Sequence, residues 1–162
     1  MKRISLTLCL AFLTVLFCQA QVAPLKFNKN GEFKIVQFTD IHFQYHNPAS
    51  AIALKRINEV LDAERPDLIV FTGDVVYAPP ADTAMRAVLD CASSRKIPFV
   101  VTFGNHDNEQ GKTRAELYDI IRSMPYNIQP DRGSVESPDY VLTVKSSDGK
   151  KDASVLYCLD SH

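Results

Sequence analysis

The chain has 162 residues, of which 46% are hydrophobic and 23% are charged. This composition is typical of a globular protein and argues against the collagen-like, disordered and multi-span membrane classes. The 18 basic side chains nearly balance the 19 acidic ones, so the sequence has no electrostatic footprint for a nucleic-acid backbone or an anionic membrane surface. The length predicts a single domain.

The first twenty residues have the pattern of a secretory signal peptide. Two basic residues precede an apolar run over 4–17, and small residues just before Gln21 suit cleavage at that point. The run is too short to span a bilayer comfortably. We therefore predict a signal peptide over 1–20, a mature domain over 21–162 without a stable transmembrane span, and a secreted or periplasmic location.

Strand and helix patterns alternate along the mature chain. Runs rich in β-branched and aromatic residues predict strands over 33–39, 68–72 and 97–103, with helices over 50–64, 82–94 and 113–123 and a hairpin over 140–145 and 154–159. In the first helix the apolar positions are Ile52, Ile57, Val60 and Leu61, and in the third they are Leu117, Ile120 and Ile121. This alternation predicts an α/β fold with a parallel sheet.

Two of the four cysteines, Cys91 and Cys158, lie beyond the predicted cleavage point. One falls in a helix pattern and the other in a strand pattern, so a disulfide scaffold does not hold this fold together. We predict that both are buried free thiols. A single bridge between them stays an alternative, because spacing alone does not decide it.

Each of the three predicted parallel strands ends in a polar cluster. The clusters are Asp40-Ile41-His42, Gly73-Asp74 and Gly104-Asn105-His106-Asp107. Their separation is close to the length of one βαβ unit, and open α/β sheets bind their ligands outside the carboxyl ends of the strands. We expect the three loops to converge on one site.

These clusters combine carboxylate, imidazole and amide oxygen donors. This mixed set suits Fe, Mn or Zn better than the all-oxygen cage that Ca²⁺ prefers. The two oxygens of a carboxylate such as Asp74 can bridge two cations, which is an arrangement that supports phosphoryl transfer. His106 is then available to transfer a proton. The sequence predicts a metal site.

The motifs D-x-H, G-D and G-N-H-D occur along the chain in this order, and together they resemble the signature of the calcineurin-like metallophosphoesterases. The resemblance runs from Phe33 to Asp107 and includes the βα rhythm between the motifs, whereas any single motif is weak evidence. The segment Phe38-Thr39-Asp40-Ile41-His42 is similar to the secreted branch near the purple acid phosphatases.

The resemblance implies a fold, a reaction and a set of roles. The family packs two β-sheets face to face with helices outside, an αββα sandwich, and hydrolyses phosphate mono- or diesters with a hydroxide activated by two metal ions. The implied metal ligands are Asp40 and His42 for the first ion, Asp74 for both ions and Asn105 for the second. His106 becomes the general acid, and Asp107 orients it through a hydrogen bond.

The family's later ligand histidine and its G-H-x-H pair have no counterpart here, since His162 is the only histidine after His106. We therefore interpret the chain as an amino-terminal portion, with only the first half of the sandwich. We expect this portion to be weakly active or inactive alone and to hold at most one ion. The substrate and the oligomeric state stay open.

Several alternatives remain at this stage. Taken singly, Asp40 and Asp74 are also interpretable as loop or helix-capping carboxylates, and Asn105 as a turn residue. His46 has helical ligand spacing from His42, although Asn-Pro after it favours a loop, and Tyr77 matches a tyrosine ligand of true purple acid phosphatases in a G-D-x-x-Y word. Two other functions compete with the hydrolase: a secreted phospho-ligand-binding module without turnover, and a Mg-dependent nuclease or phosphatase of unrelated fold.

Overall fold

The computed structural model describes residues 22–160. The predicted signal peptide and His162 lie outside the described residues. Three parallel strands form one sheet with the second strand in the centre. They are Ile35–Phe38 (β1), Leu68–Thr72 (β2) and Phe99–Thr102 (β3). β3 begins after Pro98, because proline has no amide hydrogen for the sheet ladder.

One helix lies between each pair of parallel strands and a third follows the sheet. They are Ala51–Glu64 (α1), Ala81–Ser93 (α2) and Arg114–Arg122 (α3). α3 begins at a capping box, in which the Thr113 amide donates to the Glu116 carboxylate at 2.9 Å and the Glu116 amide donates to the Thr113 hydroxyl oxygen at 3.2 Å. α1 ends at Arg65, which adopts left-handed backbone before Pro66.

The buried face of α1 differs from the predicted stripe. Ile57 and Leu61 are buried, as expected, and the partly buried Leu54 extends their face by one turn. Ile52 and Val60 are instead exposed. The core-facing stripe therefore follows positions three and four residues apart, which share one side of a helix, and the two outlying apolar residues lie away from it.

Strands β2 and β3 bury side chains on both faces of the parallel sheet, because successive side chains of a strand point to opposite sides. Ile69 and Phe71 of β2 join a core formed with the three helices. Leu68 of β2 and Val100 of β3 join a second core on the other face. These apolar runs explain why β2 and β3 read as continuous hydrophobic segments in the sequence.

The second core is closed by an antiparallel hairpin of Tyr140–Lys145 (β4) and Asp152–Cys158 (β5). Its inward residues include Tyr140, Leu142 and Val144, and the Tyr140 hydroxyl donates to the Val101 carbonyl at 3.2 Å. Helices, parallel sheet and hairpin thus form three successive layers. The predicted α/β fold with a parallel sheet, flanking helices and a second sheet packed on it is confirmed.

Both described cysteines are buried free thiols, as predicted. Cys91 belongs to the helix-side core and Cys158 to the hairpin-side core, so the parallel sheet separates them and the alternative of a bridge is wrong. Within residues 22–160, no helix is both long and apolar enough to cross a membrane.

Candidate metal centre

The loops that follow β1, β2 and β3 meet at one edge of the parallel sheet. The loop after β1 continues to pair with the loop after β2, since the Asp40 amide donates to the Gly73 carbonyl at 3.2 Å and the His42 amide donates to the Asp74 carbonyl at 2.9 Å. The polar clusters at the ends of these strands are therefore neighbours, as their spacing predicts.

Two glycines allow the loops after β2 and β3 to touch. A Cβ on Gly73 would lie 2.6 Å from the Gly104 nitrogen, and a Cβ on Gly104 would lie 2.1 Å from Asp74 Oδ1. Any side chain at either position would force the two backbones apart. This close approach explains why glycine precedes the polar residues in both loops.

Three donor side chains cluster in the space that these loops enclose. Asp40, His42 and Asp74 each offer one donor atom, and the three atoms lie within 4.8 Å of one another. His42 Nε2 is 3.7 Å from Asp40 Oδ1 and 3.6 Å from Asp74 Oδ2. Asp74 is buried while Asp40 is exposed, so the cluster has one closed side and one side open to solvent.

All three donors have left-handed backbone, with φ of 52° at Asp40, 49° at His42 and 50° at Asp74. Residues other than glycine rarely adopt this conformation, and a residue held in it costs about 1–3 kcal/mol. Such strain persists only where the surrounding structure over-determines it, and it collects at ligand sites. Among the described residues, three others that are not glycine, Arg65, Lys96 and Tyr126, share this conformation, but only at the candidate centre do three such residues carry donor side chains that cluster.

Neighbouring groups hold the two carboxylates in place. The Thr39 hydroxyl donates to Asp40 Oδ2 at 2.6 Å, and the His106 amide donates to Asp74 Oδ1 at 3.0 Å. Asp74 Oδ2 is the oxygen that faces His42. Sequence patterns single out Asp40 and Asp74 but not Thr39, since a threonine at the end of a strand has no distinctive signal.

Asp107 does not orient His106 through a hydrogen bond as predicted. Its carboxylate is fully buried and accepts four backbone amides, from Asp74, Val75, Val76 and Gly104, at 2.8–3.1 Å. Burial raises the pKa of Asp107, and the backbone amides of Gly104, Val76 and Val75 oppose that rise. The residue joins the loops after β2 and β3, because its short side chain lies among their orphan amides rather than beside the imidazole.

His106 is instead bonded to a residue that the sequence patterns missed. Its Nδ1 lies 2.7 Å from Glu109 Oε2, and this hydrogen bond raises the pKa of His106. The His106 ring also packs edge-on against Tyr77 at 5.2 Å between centroids, and Tyr77 contacts the His42 ring at 4.9 Å. Three aromatic rings therefore form one wall of the candidate centre.

A sequence profile described as calcineurin-like phosphoesterase matches residues 33–155, which is most of the chain and contains all three loops. The chain belongs to the calcineurin-like phosphoesterase family. The three-loop centre lies entirely within the matched region, and the expected family resemblance is thereby confirmed.

Individual proteins also match parts of the chain. "Probable inactive purple acid phosphatase 29" of Arabidopsis thaliana is 37% identical over 65% of this chain and 32% of its own length. "Phosphatase DCR2" of Saccharomyces cerevisiae is 30% identical over 82% of this chain and 27% of its own length. "UDP-2,3-diacylglucosamine pyrophosphatase LpxG" of Chlamydia trachomatis is 31% identical over 52% of this chain and 25% of its own length. The chain spans about a third or less of the length of each of these relatives.

The remaining candidates of the phosphoesterase signature have different surroundings. Asn105 is an exposed residue of the loop after β3, between the glycine and the histidine that contact Asp74, and its role as a ligand stays a prediction. His46 lies in an exposed turn with its ring 5.1 Å from that of Tyr45, so the loop favoured by the sequence is present and His46 is outside the donor cluster.

Proposed function

We propose that this protein hydrolyses phosphate mono- or diesters with metal ions held by Asp40, His42 and Asp74. The single observation that carries this proposal is the clustering of those three donors on left-handed backbone at the carboxyl edge of the sheet. Membership of a phosphoesterase family supports the reaction class. The open side of the cluster, at Asp40, is where a solvent-borne ester can approach.

The donors present suit one ion of the Fe, Mn or Zn type. Two carboxylates and an imidazole form a mixed donor set that such ions accept. Two atoms that each lie ~2.0–2.2 Å from the same ion are at most about 4.4 Å apart. The distances of 3.6 and 3.7 Å from His42 Nε2 to the two carboxylates fall within this limit, and the donor atoms of Asp40 and Asp74 lie within 4.8 Å of each other. A second ion would have Asp74 and Asn105 as ligands in this chain, which is too few for tight binding.

The bound ions supply Lewis acidity, which polarises a phosphoryl oxygen and makes water a better nucleophile at neutral pH. The chain's own residues transfer a proton and hold the loops of the site in place. As water adds to phosphorus and the ester P–O bond breaks, His106 gives its Nε2 proton to the leaving oxygen, so that the alcohol departs neutral. Asp107 keeps the loops after β2 and β3 together through its four amide contacts.

Metal analysis of the purified 162-residue chain tests the ligand set. After incubation with Zn²⁺ or Mn²⁺ and removal of excess, we expect at most one tightly bound ion per chain. Asp40→Ala or His42→Ala should abolish this binding, and Asn105→Ala should change it little. His46→Ala is the matched control, because this exposed histidine lies four residues from His42 and outside the donor cluster.

Two tightly held ions in the unaltered chain, or binding that survives His42→Ala, would show that the ligand set is wrong. Turnover of a chromogenic phosphate ester by this chain should be close to the blank rate. A longer polypeptide that supplies the family's later histidines should hydrolyse the ester in a metal-dependent way, with His106→Ala lowering kcat about 10²–10⁴-fold at unchanged metal content. A folded, metal-replete longer polypeptide without activity on mono- and diesters would overturn the proposal.

A second candidate function is the binding of a phosphorylated ligand without turnover. It is favoured by the name of the Arabidopsis relative, which describes that protein as probably inactive. The two functions are separated by calorimetry and product assay in parallel. A phosphate ester that binds metal-loaded protein and is recovered intact after prolonged incubation supports the binding module, whereas its conversion to alcohol and phosphate supports the hydrolase.

A further inference from the structure

Glu109 is the carboxylate that contacts the imidazole of His106. Its Oε2 lies 2.7 Å from His106 Nδ1, which is within the range of a strong charge-assisted hydrogen bond. Both side chains are partly accessible, with 32% of the His106 side chain and 54% of the Glu109 side chain exposed. The pair therefore lies at the mouth of the candidate centre and not in the core.

The local backbone brings the two side chains together. Residues Asp107–Glu109 form a single turn of 3-10 helix, and the Glu109 amide donates to the His106 carbonyl at 3.1 Å. In such a turn the side chains three residues apart lie one above the other. The Gln110 side-chain amide also donates to the His106 carbonyl, at 3.4 Å, so a second hydrogen bond to the same oxygen stabilises the turn.

Asp107 cannot take the place of Glu109 beside the imidazole without losing its own hydrogen bonds. The Asp107 carboxylate accepts amides from two loops, and swinging it toward the imidazole would leave those buried amides without an acceptor. Two rings limit the imidazole on its remaining sides, Tyr77 at 5.2 Å and His42 at 5.7 Å between centroids. Glu109 is thus placed to select which ring nitrogen carries which proton.

We propose that Glu109 is the positioning residue for His106: by accepting a hydrogen bond from Nδ1, it fixes the ring orientation so that Nε2 presents the proton given to the leaving oxygen. The proposal rests on the proposed hydrolase function for its consequence, although the contact itself does not depend on it. Because the hydrogen bond engages Nδ1, a second proton on the ring can only be carried by Nε2. Glu109 does not touch the substrate in this scheme and acts only through the imidazole.

The tautomer of His106 tests the positioning role without any turnover. Nitrogen–proton correlation spectra of the histidine rings, recorded on metal-free 162-residue chain at alkaline pH, report which nitrogen carries the single proton, and His106→Ala identifies the resonance. We expect the proton on Nδ1 in the unaltered chain and mainly on Nε2 in Glu109→Ala. Glu109→Gln, whose amide oxygen still accepts, should keep a larger Nδ1 share than Glu109→Ala.

Asn108→Ala is the matched control, because Asn108 is an exposed residue of the same turn and should leave the tautomer unchanged. An unaltered tautomer in Glu109→Ala would overturn the proposal. So would an equal change in Asn108→Ala, since the turn and not the carboxylate would then set the ring.

The kinetic consequence is measured in a polypeptide extended to supply the family's later ligand histidines. Glu109→Ala should lower kcat about 10–100-fold, the usual effect of a group that orients a functional histidine, with KM and metal content little changed. Added to His106→Ala, it should cause no further loss, because it acts through the ring alone. Loss of metal in Glu109→Ala would make Glu109 a ligand and overturn the positioning role. Absence of turnover in every protein would contradict the hydrolase function while the tautomer result still stands.

Discussion

Single residues at the candidate centre are held in conformations that their own chemistry does not favour. Asp40, His42 and Asp74 all have left-handed backbone, and each is fixed by hydrogen bonds to a loop other than its own. The amides of Asp40 and His42 bond to the loop after β2, while the Asp74 carboxylate accepts the His106 amide. At the scale of the residue, backbone and side-chain contacts from other loops hold the donors in place, and such preorganisation lowers the cost of binding an ion.

Gly104→Ala should displace Asp74 and lower both stability and metal affinity. The new Cβ would lie 2.1 Å from Asp74 Oδ1, so the carboxylate or the loop has to move, and overpacking of this kind costs about 1–3 kcal/mol. Urea unfolding and metal analysis measure the two effects. Gly111→Ala is the control for a glycine change without a clash, since a Cβ there has nothing within 4 Å and only its left-handed φ of 83° is penalised. Equal metal binding by Gly104→Ala and the unaltered chain would contradict the expectation.

At the scale of secondary-structure elements, one buried ion pair connects the layers to the site. Arg114, the first residue of α3, donates to both oxygens of Asp160 at 3.0 and 2.7 Å and to the Gly104 carbonyl at 2.9 Å. Asp160 follows β5, so the guanidinium joins the helix layer, the hairpin and the loop after β3. Nη1 donates both hydrogen bonds to Asp160 while Nη2 donates to the Gly104 carbonyl, so the planar fork of the guanidinium reaches two acceptors at once, which the single ammonium of lysine does not reproduce.

Arg114→Ala should destabilise the fold by about 3–5 kcal/mol, because it breaks a buried ion pair and removes the donor to the Gly104 carbonyl. Arg114→Lys should recover only part of the loss, since it keeps the charge and not the fork. Arg132→Ala is the matched control: its pair with Asp119 lies at the surface, with 25% and 55% of the two side chains exposed against 10% and 2% for Arg114 and Asp160, and should be worth no more than about 1 kcal/mol. Denaturant midpoints measure all three. A loss in Arg114→Ala no larger than in Arg132→Ala would show that the connection is not structural.

At the scale of the whole molecule, the outer face of the hairpin carries uncovered apolar side chains. Val141 and Tyr157 are cross-strand partners there, with 51% and 72% of their surface exposed, and Val155 on the same face is 45% exposed. The inner face of the same hairpin is buried in the second core. A two-stranded sheet with one covered and one bare apolar face favours association between molecules.

We expect the 162-residue chain to associate increasingly with concentration, as measured by sedimentation velocity. Replacing the two exposed residues of β5 by Val155→Thr and Tyr157→Thr should reduce this association, because threonine keeps strand propensity while lowering apolar surface. Tyr45→Thr is the matched control, since Tyr45 is an exposed aromatic residue outside the hairpin. A chain that stays monomeric at all concentrations, or association unaffected by the double variant, would contradict this expectation.

The sequence alone determined the order of the elements and the loops that carry the chemistry. Apolar runs and helical spacing are local signals, so they give the bounds of β2 and of β4, place β5 to within two residues and put the polar clusters after the strands. Proximity of the clusters follows from parallel topology, because the carboxyl ends of parallel strands share an edge. Asp40, His42 and Asp74 could therefore be grouped, and the family signature recognised, before any coordinates.

Only the tertiary structure decided which groups touch within that edge. Residues that are adjacent in a motif such as G-N-H-D have different contacts in the folded chain. The Asp107 side chain points inward and accepts amides from two loops. One turn of 3-10 helix places the Glu109 carboxylate next to the His106 ring. The left-handed backbone at the donors and the link from Arg114 to Asp160 likewise depend on contacts between residues tens of positions apart. Local sequence propensity does not predict such contacts, because they form and stabilise the fold only when the layers pack against one another.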